Sequence, residues 1–450
     1  MSRIRIIITI IVVVLTTLLT GCTGKEPNEI AYVVALGIDS TDDDNYKITI
    51  QYANTTQISG GASESGGKAG SEIVDNVTIE APNIYAGVGL ANNIVSKSFS
   101  MSHAKLIVFS KEIAEKGVKD MIETLVRSEE IRPDVFIAVA NTTANDYLTS
   151  VNPEMEVNPA PYYQLIYQKN QLVGIPDGQL REFFTGLYTD NYDSILPVAG
   201  VIEGSGGNSQ NDDREQSKDG QNEGSDGSSE SLDSFESKSS DDKDENEKEK
   251  DAEKNTSKYE YDIKNYVGGE TAIEKKNKAE AIGAAVFEKD KMVGELGEVE
   301  TEICKMLKGD YTYSYLTYYN NDTPDIPITV KTTQQKKPKY KINTDKKTVD
   351  IELYIESDLY SLPADYNVEN KIEDFERDVA NYTSSACTEF INNFTKKYNS
   401  DILKLNEKVK YKFLTNNQYN WFKKNVGWSE YKFSVCTNFK VRRTGLIVRE

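Results

Sequence analysis

The chain has 450 residues, 38% of them hydrophobic, which is enough for two or three domains with cores of their own. Its 72 acidic and 52 basic residues leave a net charge of −20. That balance argues against a nucleic-acid partner, since phosphate recognition wants clustered Lys and Arg, and against adsorption to anionic lipid through a basic face.

Arg3 and Arg5 open a run of mostly apolar residues from Ile6 to Leu19, which closes on Thr20-Gly21-Cys22. A charged start, a short apolar middle and small residues at the end are the marks of a secretory signal. A bilayer span needs roughly twenty apolar residues, so the run is short for a transmembrane anchor. Leu19-Thr20-Gly21-Cys22 resembles a bacterial lipobox. The expectation is cleavage between Gly21 and Cys22 and a diacylglyceryl group on the Cys22 thiol. Two acyl chains, at about 0.8 kcal/mol per buried CH₂, give a stable anchor where one would be marginal. The mature protein is thus expected on the outer face of a membrane.

Beyond Cys22 the pattern alternates between strand and helix. Residues 29–39 form an apolar run, and Tyr46, Ile48, Ile50 and Tyr52 alternate with polar residues as in a half-buried strand. Residues 60–70, rich in Gly and Ser, read as a mobile loop before a strand at 73–80. Pro82 opens a helix with Ile84, Val88, Ala91 and Val95 on one side. A buried strand at 105–110 leads into a helix from 111 to about 128, then a strand at 134–140. Residues 143–190 are mostly helical or irregular, and 195–202 a last strand.

Residues 203–258 hold three apolar side chains, Leu232, Phe235 and Ala252, and carry eighteen acidic against eight basic residues. Such a segment cannot bury enough surface to offset its conformational entropy and reads as a disordered acidic linker. The expected organisation is a signal peptide at 1–21, an N-terminal α/β domain at 22–202, the linker at 203–258, and a C-terminal α/β region at 259–450 with a candidate subdomain split near 340. The C-terminal part opens with a hairpin at 281–296, followed by a helix at 298–308 ending on Gly309. Strands follow at 311–319, 326–332 and 348–356. A long helix at 368–398 places Ile372, Phe375, Val379, Tyr382, Ala386, Phe390 and Phe394 on one face, and a closing strand carries Tyr431, Phe433, Val435, Phe439 and Val441. The fold class is α+β: multi-domain, mixed β-sheets with packed helices, preceded by a lipoprotein signal peptide.

Few residues offer chemistry. A single histidine, His103, excludes multi-histidine metal sites and leaves one candidate base for a serine–histidine–acid arrangement; it reads as a capping residue at a loop. Ser102-x-x-Lys105 and Ser65-x-x-Lys68 match a serine–lysine pattern but lack its companion motifs. Gly66-Gly67-Lys68 fails as a phosphate loop because Ala69 stands at the Ser/Thr position. Asp42-Asp43-Asp44 lacks calcium-loop spacing and reads as a solvated turn. Trp421, Trp428 and the tyrosines of 311–319 are candidates for a binding groove, with core packing the preferred reading. Besides Cys22 there are Cys304, Cys387 and Cys436; a disulfide in an exported protein would leave one thiol over, and three separate buried thiols are the preferred reading. No catalytic, cofactor or metal site emerges.

Several segments together carry a resemblance. Gly21-Cys22 with Glu29-Ile30 and Gly37-Ile38-Asp39, Ser102-His103-Ala104-Lys105, Glu112-Ile113-Ala114-Glu115-Lys116-Gly117, Arg127 and residues 129–132 belong to it in the first half. Gly283-Ala284-Ala285-Val286-Phe287, Lys289-Asp290-Lys291, Val293-Gly294-Glu295-Leu296, Trp421 and the strand from Phe439 to Gly445 belong to it in the second. The set resembles the Ger(x)C lipoprotein family, the C subunits of bacterial spore germinant receptors; the 203–258 insert is longer and more acidic than that family's pattern. The resemblance implies a non-catalytic subunit on the outer face of the spore inner membrane, needed for nutrient-triggered germination. It also implies partnership with the A and B subunits of the receptor, with contact to a small-molecule germinant an open question. A solute-binding lipoprotein of an uptake system is the rival from another class. A lipid-anchored cell-wall enzyme would need a catalytic constellation that the residues do not offer.

Overall fold

Strands that are predominantly apolar and buried along their length form the centre of the molecule. The computed structural model describes residues 3–7, 9, 29–43, 45–53, 74–153, 159–168, 174–189, 191–202, 265–271, 277–320, 323–361, 371–398 and 400–444. The expectations for Cys22, Ser65, Lys68, the loop at 60–70 and the linker at 203–258 lie outside them. A first, nine-stranded sheet contains β1 (Ile30–Ser40), β2 (Tyr46–Ala53), β3 (Val74–Ala81), β4 (Ser98–Ser100), β5 (Leu106–Ser110), β6 (Phe136–Ala140), β7 (Ile195–Val201), β8 (Ala279–Glu288) and β9 (Lys291–Leu296). Its order is β3-β2-β1-β5-β6-β7-β8-β9, with β4 paired to the start of β1. β1, β5, β6 and β7 are parallel neighbours, and antiparallel strands flank them on both sides.

Helices cover both faces of this sheet, so its central strands are buried on both sides. Along β5, Leu106 and Val108 join one apolar cluster, whereas Ile107 and Phe109 join another, as a two-residue period requires. One face packs against α1 (Ile84–Ala91), α2 (Lys111–Lys116), α3 (Lys119–Val126) and α6 (Leu180–Thr189). The other receives α4 (Ala144–Ser150) and α5 (Pro159–Gln168). The single helix expected over 111–128 is two helices. Gly117 breaks it at a φ of +125°, the Asp290 carboxylate occupies the place of a Cβ there, and Val118 N–H donates to the Asp290 carbonyl at 3.0 Å.

The second sheet begins at β10 (Tyr313–Asn320) and continues with β11 (Thr323–Gln334), β12 (Lys339–Asn343), β13 (Thr348–Ser361) and β14 (Lys432–Arg443). β13 pairs with β12 along its first half and β11 along its second, with β14 parallel on its other side. The segment near 340, where a subdomain split was expected, is therefore a strand inside this sheet. The first sheet also draws on both sides of the insert, because β7 and β8 pair from Ile195↔Val286 to Val201↔Ala279. The described residues before and after the insert belong to one compact unit. Two mixed sheets with packed helices bear out the α+β class.

α7 (Glu298–Lys308) ends on Gly309 at φ +83°, as its sequence predicts. The long α8 (Ile372–Lys397) does two things. Phe375 and Val379 pack with Tyr318, Ile328 and Phe439, while a polar row spaced by four or eight residues bonds the main chain of β14. Asn392, Thr388, Ser384 and Glu376 accept from the N–H groups of Phe433, Val435, Thr437 and Val441 at 2.8–3.1 Å. These side chains cover an edge that would otherwise be open to strand addition.

Gly200 in β7 lies against residues 265–271, and a Cβ there would overlap the backbone of Gly268 and Gly269. Asn141 Nδ2 holds the Gly268 carbonyl, and Glu280 holds the Gly269 N–H. Gly200→Ala is expected to cost about 1–3 kcal/mol in urea unfolding, because a backbone segment and not a flexible side chain must move.

Candidate functional site

The residues of the resemblance build the scaffold. Gly37 leaves room for α4, since an added Cβ would stand 3.0 Å from Leu148 Cδ1 and 3.1 Å from Ala144 Cβ. Two residues on, Asp39 accepts from the first N–H groups of α4, Ala144 at 2.6 Å and Asn145 at 3.0 Å. Burial raises the Asp39 carboxyl, and the two N–H bonds act against that rise. His103 Nδ1 lies 3.0 Å from the neighbouring Ser102 hydroxyl, and its ring packs edge-on against Tyr32 at 4.8 Å. Lys105 supports the sheet through its main chain, donating to Val34 and accepting from Phe136. The geometry around His103 is that of a capped turn.

A cavity of about 540 Å³ lies at the N-terminal end of β7, beneath the β8–β9 turn and the segment after α8. Asp193 and Asp401 meet there. Asp193 accepts from Lys289 N–H at 2.9 Å and Asp401 N–H at 2.8 Å. Asp401 accepts at 2.8 Å from both Leu405 and Asn406, the start of α9 (Leu405–Val409). Burial pushes the Asp401 carboxyl up to about 7, aided by the Asp193 charge and opposed by the two N–H bonds. Ser400 Oγ donates to the Phe287 carbonyl at 2.9 Å. This pair of carboxylates ties three chain segments together through main-chain groups. It does not present a nucleophile beside a base.

A second cavity, about 450 Å³, is lined by three acids, Asp177, Glu182 and Asp310, and three lysines, Lys305, Lys308 and Lys404, with Lys308 3.9 Å from Asp310. Lys404 pairs with Glu182 and sits 4.2 Å from the centre of the Tyr192 ring. Burial raises the Glu182 carboxyl, yet the hydrogen bond and charge of Lys404 outweigh it and leave it lowered. Lys305 Nζ donates to the Ile175 carbonyl at 2.9 Å, and burial brings its ammonium down to about 8. Opposite charges balance within this cavity, and each cation has a structural partner.

The candidate aromatics separate. Trp428 is buried and donates from its indole nitrogen to Asn406 Oδ1 at 3.2 Å, whereas Trp421 is 64% exposed on α10 (Asn416–Asn425). Tyr311 and Tyr318 are buried, and Tyr315 is exposed. No single groove gathers them. The cysteines also depart from expectation. Cys304 and Cys387 are buried in one apolar cluster, with thiols pushed up by burial to about 11 and about 12. Cys436 is exposed, because β14 turns Phe433, Val435 and Phe439 inward and the alternate residues outward. Asp42 and Asp43 occupy a turn. Among the described residues, no group of three or more His, Cys, Asp or Glu is placed to hold a metal ion. Nor is any helix among them long and apolar enough to cross a membrane.

The sequence signatures go into packing and caps, and no metal-binding cluster is assembled among the described residues. Comparison with known proteins identifies the chain's family. A family model described as "Spore germination protein N-terminal domain" matches residues 24–201, and one described as "Spore germination B3/ GerAC like, C-terminal" matches residues 282–445. The chain belongs to the Ger(x)C family of spore germination proteins. Among its relatives in Bacillus subtilis (strain 168), spore germination protein KC is 27% identical over 158 residues, covering 35% of this chain and 39% of the relative. Spore germination protein B3 is 27% identical over 158 residues, covering 33% and 38%. The aligned stretches thus span about two-fifths of those relatives' length. A solved structure, "Crystal Structure of the GerBC protein", aligns with 90% of this chain and 96% of that one, at a TM-score of 0.48 and 15% identity.

Proposed function

We propose that this chain is the lipid-anchored, non-catalytic C subunit of a spore germinant receptor, required for nutrient-triggered germination. Cys22, acylated after cleavage behind Gly21, tethers it to the outer face of the spore inner membrane. There it assembles with the receptor's A and B subunits. The observation that carries this reading is a lipobox at Leu19–Cys22 directly ahead of two spore-germination family matches, the first beginning at residue 24. A tether raises the effective concentration of the folded unit at membrane partners, so even weak subunit contacts suffice.

Spores lacking the gene are expected to lose their response to nutrient while still germinating with dipicolinate. A Cys22→Ala copy is expected not to restore the nutrient response. An unchanged nutrient response in the deletion would overturn the proposal and favour a solute-binding lipoprotein, which calorimetry against candidate solutes would then test.

A further inference from the structure

The net charge of −20 conceals a local excess of the opposite sign. Residues 404–424 hold six lysines and one acid, Glu407. Lys404 is turned inward to Glu182, and Lys408 to the Leu403 carbonyl. The other four lysines contact neutral groups or solvent and form no ion pair among the described residues. Lys412 Nζ donates to the Ile342 carbonyl, Lys423 Nζ to the Asn191 side-chain oxygen, and Lys410 lies 5.7 Å from the centre of the Tyr419 ring. Lys424 is exposed.

Among these lysines stand three large apolar side chains that the core does not take. Leu414 is 95% exposed, Tyr411 78% and Trp421 64%. Their neighbours satisfy the packing: Phe413 lies 4.9 Å from Phe422 and 5.8 Å from Tyr419, ring to ring. With Phe413 held inward, Tyr411 and Leu414 on either side turn out. On α10, Tyr419 and Phe422 face the core and leave Trp421 and Lys424 on the solvent side.

The fold puts this patch at the end of the molecule where the chain enters. Tyr419 Oη and Lys423 Nζ both donate to Asn191 Oδ1 at 3.1 Å, four residues before β7 starts. Because β1, β5, β6 and β7 run parallel, their N-terminal ends share one edge of the sheet, and Ile30 opens β1 at that edge. β1 and β7 are three strands apart, about 15 Å at the usual spacing. Residues 23–29 separate Cys22 from Ile30, eight steps of chain that reach at most about 28 Å.

We propose that residues 410–424 form a docking surface for an anionic phospholipid bilayer. Trp421, Tyr411 and Leu414 enter the headgroup region, where amphipathic rings are favoured, and Lys410, Lys412, Lys423 and Lys424 meet the lipid phosphates. The orientation rests on the Cys22 tether; the chemistry of the patch does not. Docking gives the acylated protein a second membrane contact and fixes which face it turns to membrane partners. The conclusion drawn from total charge, that no basic face exists for lipid, is thereby reversed for this one surface.

The test is quenching of Trp421 in the full-length chain by phospholipids brominated on their acyl chains. Trp428 is the other tryptophan, so the difference between wild type and Trp421→Phe isolates the signal. Quenching is expected in vesicles containing phosphatidylglycerol. It should be largely lost in pure phosphatidylcholine and in a Lys410→Glu/Lys424→Glu chain, and retained in Cys22→Ala. Equal quenching in both vesicle types, or in the charge-reversed chain, overturns the proposal. So does absence of quenching with phosphatidylglycerol, which would assign the patch to a protein partner or a second copy. Mass spectrometry of the mature N-terminus reads acylation separately, so a failed tether and a failed docking surface are told apart.

Discussion

Phe287→Ala is expected to lower the unfolding free energy by about 3–5 kcal/mol and to destabilise segments on both sides of the 203–258 insert together. Phe287 lies in β8, after the insert, and is fully buried. Its ring meets Phe183 of α6 edge-on at 5.0 Å and 87°, and α6 precedes the insert. Both rings belong to the same apolar cluster as Leu36, Ile107 and Val139 of the central strands. Truncation leaves a cavity inside a core built from both segments. A domain's total stability is of order 5–15 kcal/mol, so the loss is a large share of it. Urea unfolding followed by far-UV circular dichroism measures the effect. A second measurement asks where it spreads: a fragment ending at residue 202 lacks β8 and β9 and leaves β7 without its antiparallel neighbour. That fragment is expected to unfold at much lower urea than the intact chain. An N-terminal fragment as stable as the whole, with Phe287→Ala leaving its transition in place, would mean that the two segments fold independently.

What the sequence reveals and what it hides follow from the range of the interactions. β5 and β6 are legible as short apolar runs, the α8 stripe because it repeats at helical spacing, and the end of α7 because Gly309 marks it. The family is legible from short signatures spread along the chain. Their purposes are not: Gly37 and Asp39 act on α4, more than a hundred residues away. The pairing of β7 with β8 across the insert hides because register between distant strands leaves no local mark. β12 hides because its Lys-Tyr-Lys-Ile-Asn sequence alternates weakly beside other lysines. The row Glu376, Ser384, Thr388 and Asn392 has the look of a solvated helix face, yet it bonds β14. In the candidate groove, Trp428 goes to the core and Trp421 to solvent, a sorting that depends on where α10 lands. The basic patch is hidden by a sum, since an acidic insert accounts for half of the net charge and masks six lysines within twenty-one residues.

Stability is expected to fall as pH rises from about 4.5 to 7, and Glu302 supplies a separable part of that fall. Glu302, on α7, is largely covered, and burial pushes its carboxyl from 4.5 up to about 7, against the hydrogen bonds from Ser314 and Tyr311. Its folded pKa therefore lies above its unfolded one, and between the two values the native state binds more protons than the unfolded chain. Unfolding free energy then decreases with pH across that window, by up to about 3 kcal/mol for a shift of this size. The contribution is fully present below pH 4.5 and gone above 7. Asp401, also pushed up to about 7, adds a fall of the same sign from its ordinary 3.8. Lys305 acts on the other side: with its ammonium brought down to about 8 from 10.5, the native state sheds a proton first, and stability recovers as pH rises through that range. The combined profile has its minimum near pH 7–8. Glu302→Gln keeps a side-chain oxygen to accept from Tyr311 and removes the charge. The variant should unfold at nearly the same urea concentration as wild type at pH 5 and at a higher one at pH 8. A difference that does not change between those pH values would show that Glu302 keeps an ordinary carboxyl, with enough water around it to cancel the effect of burial.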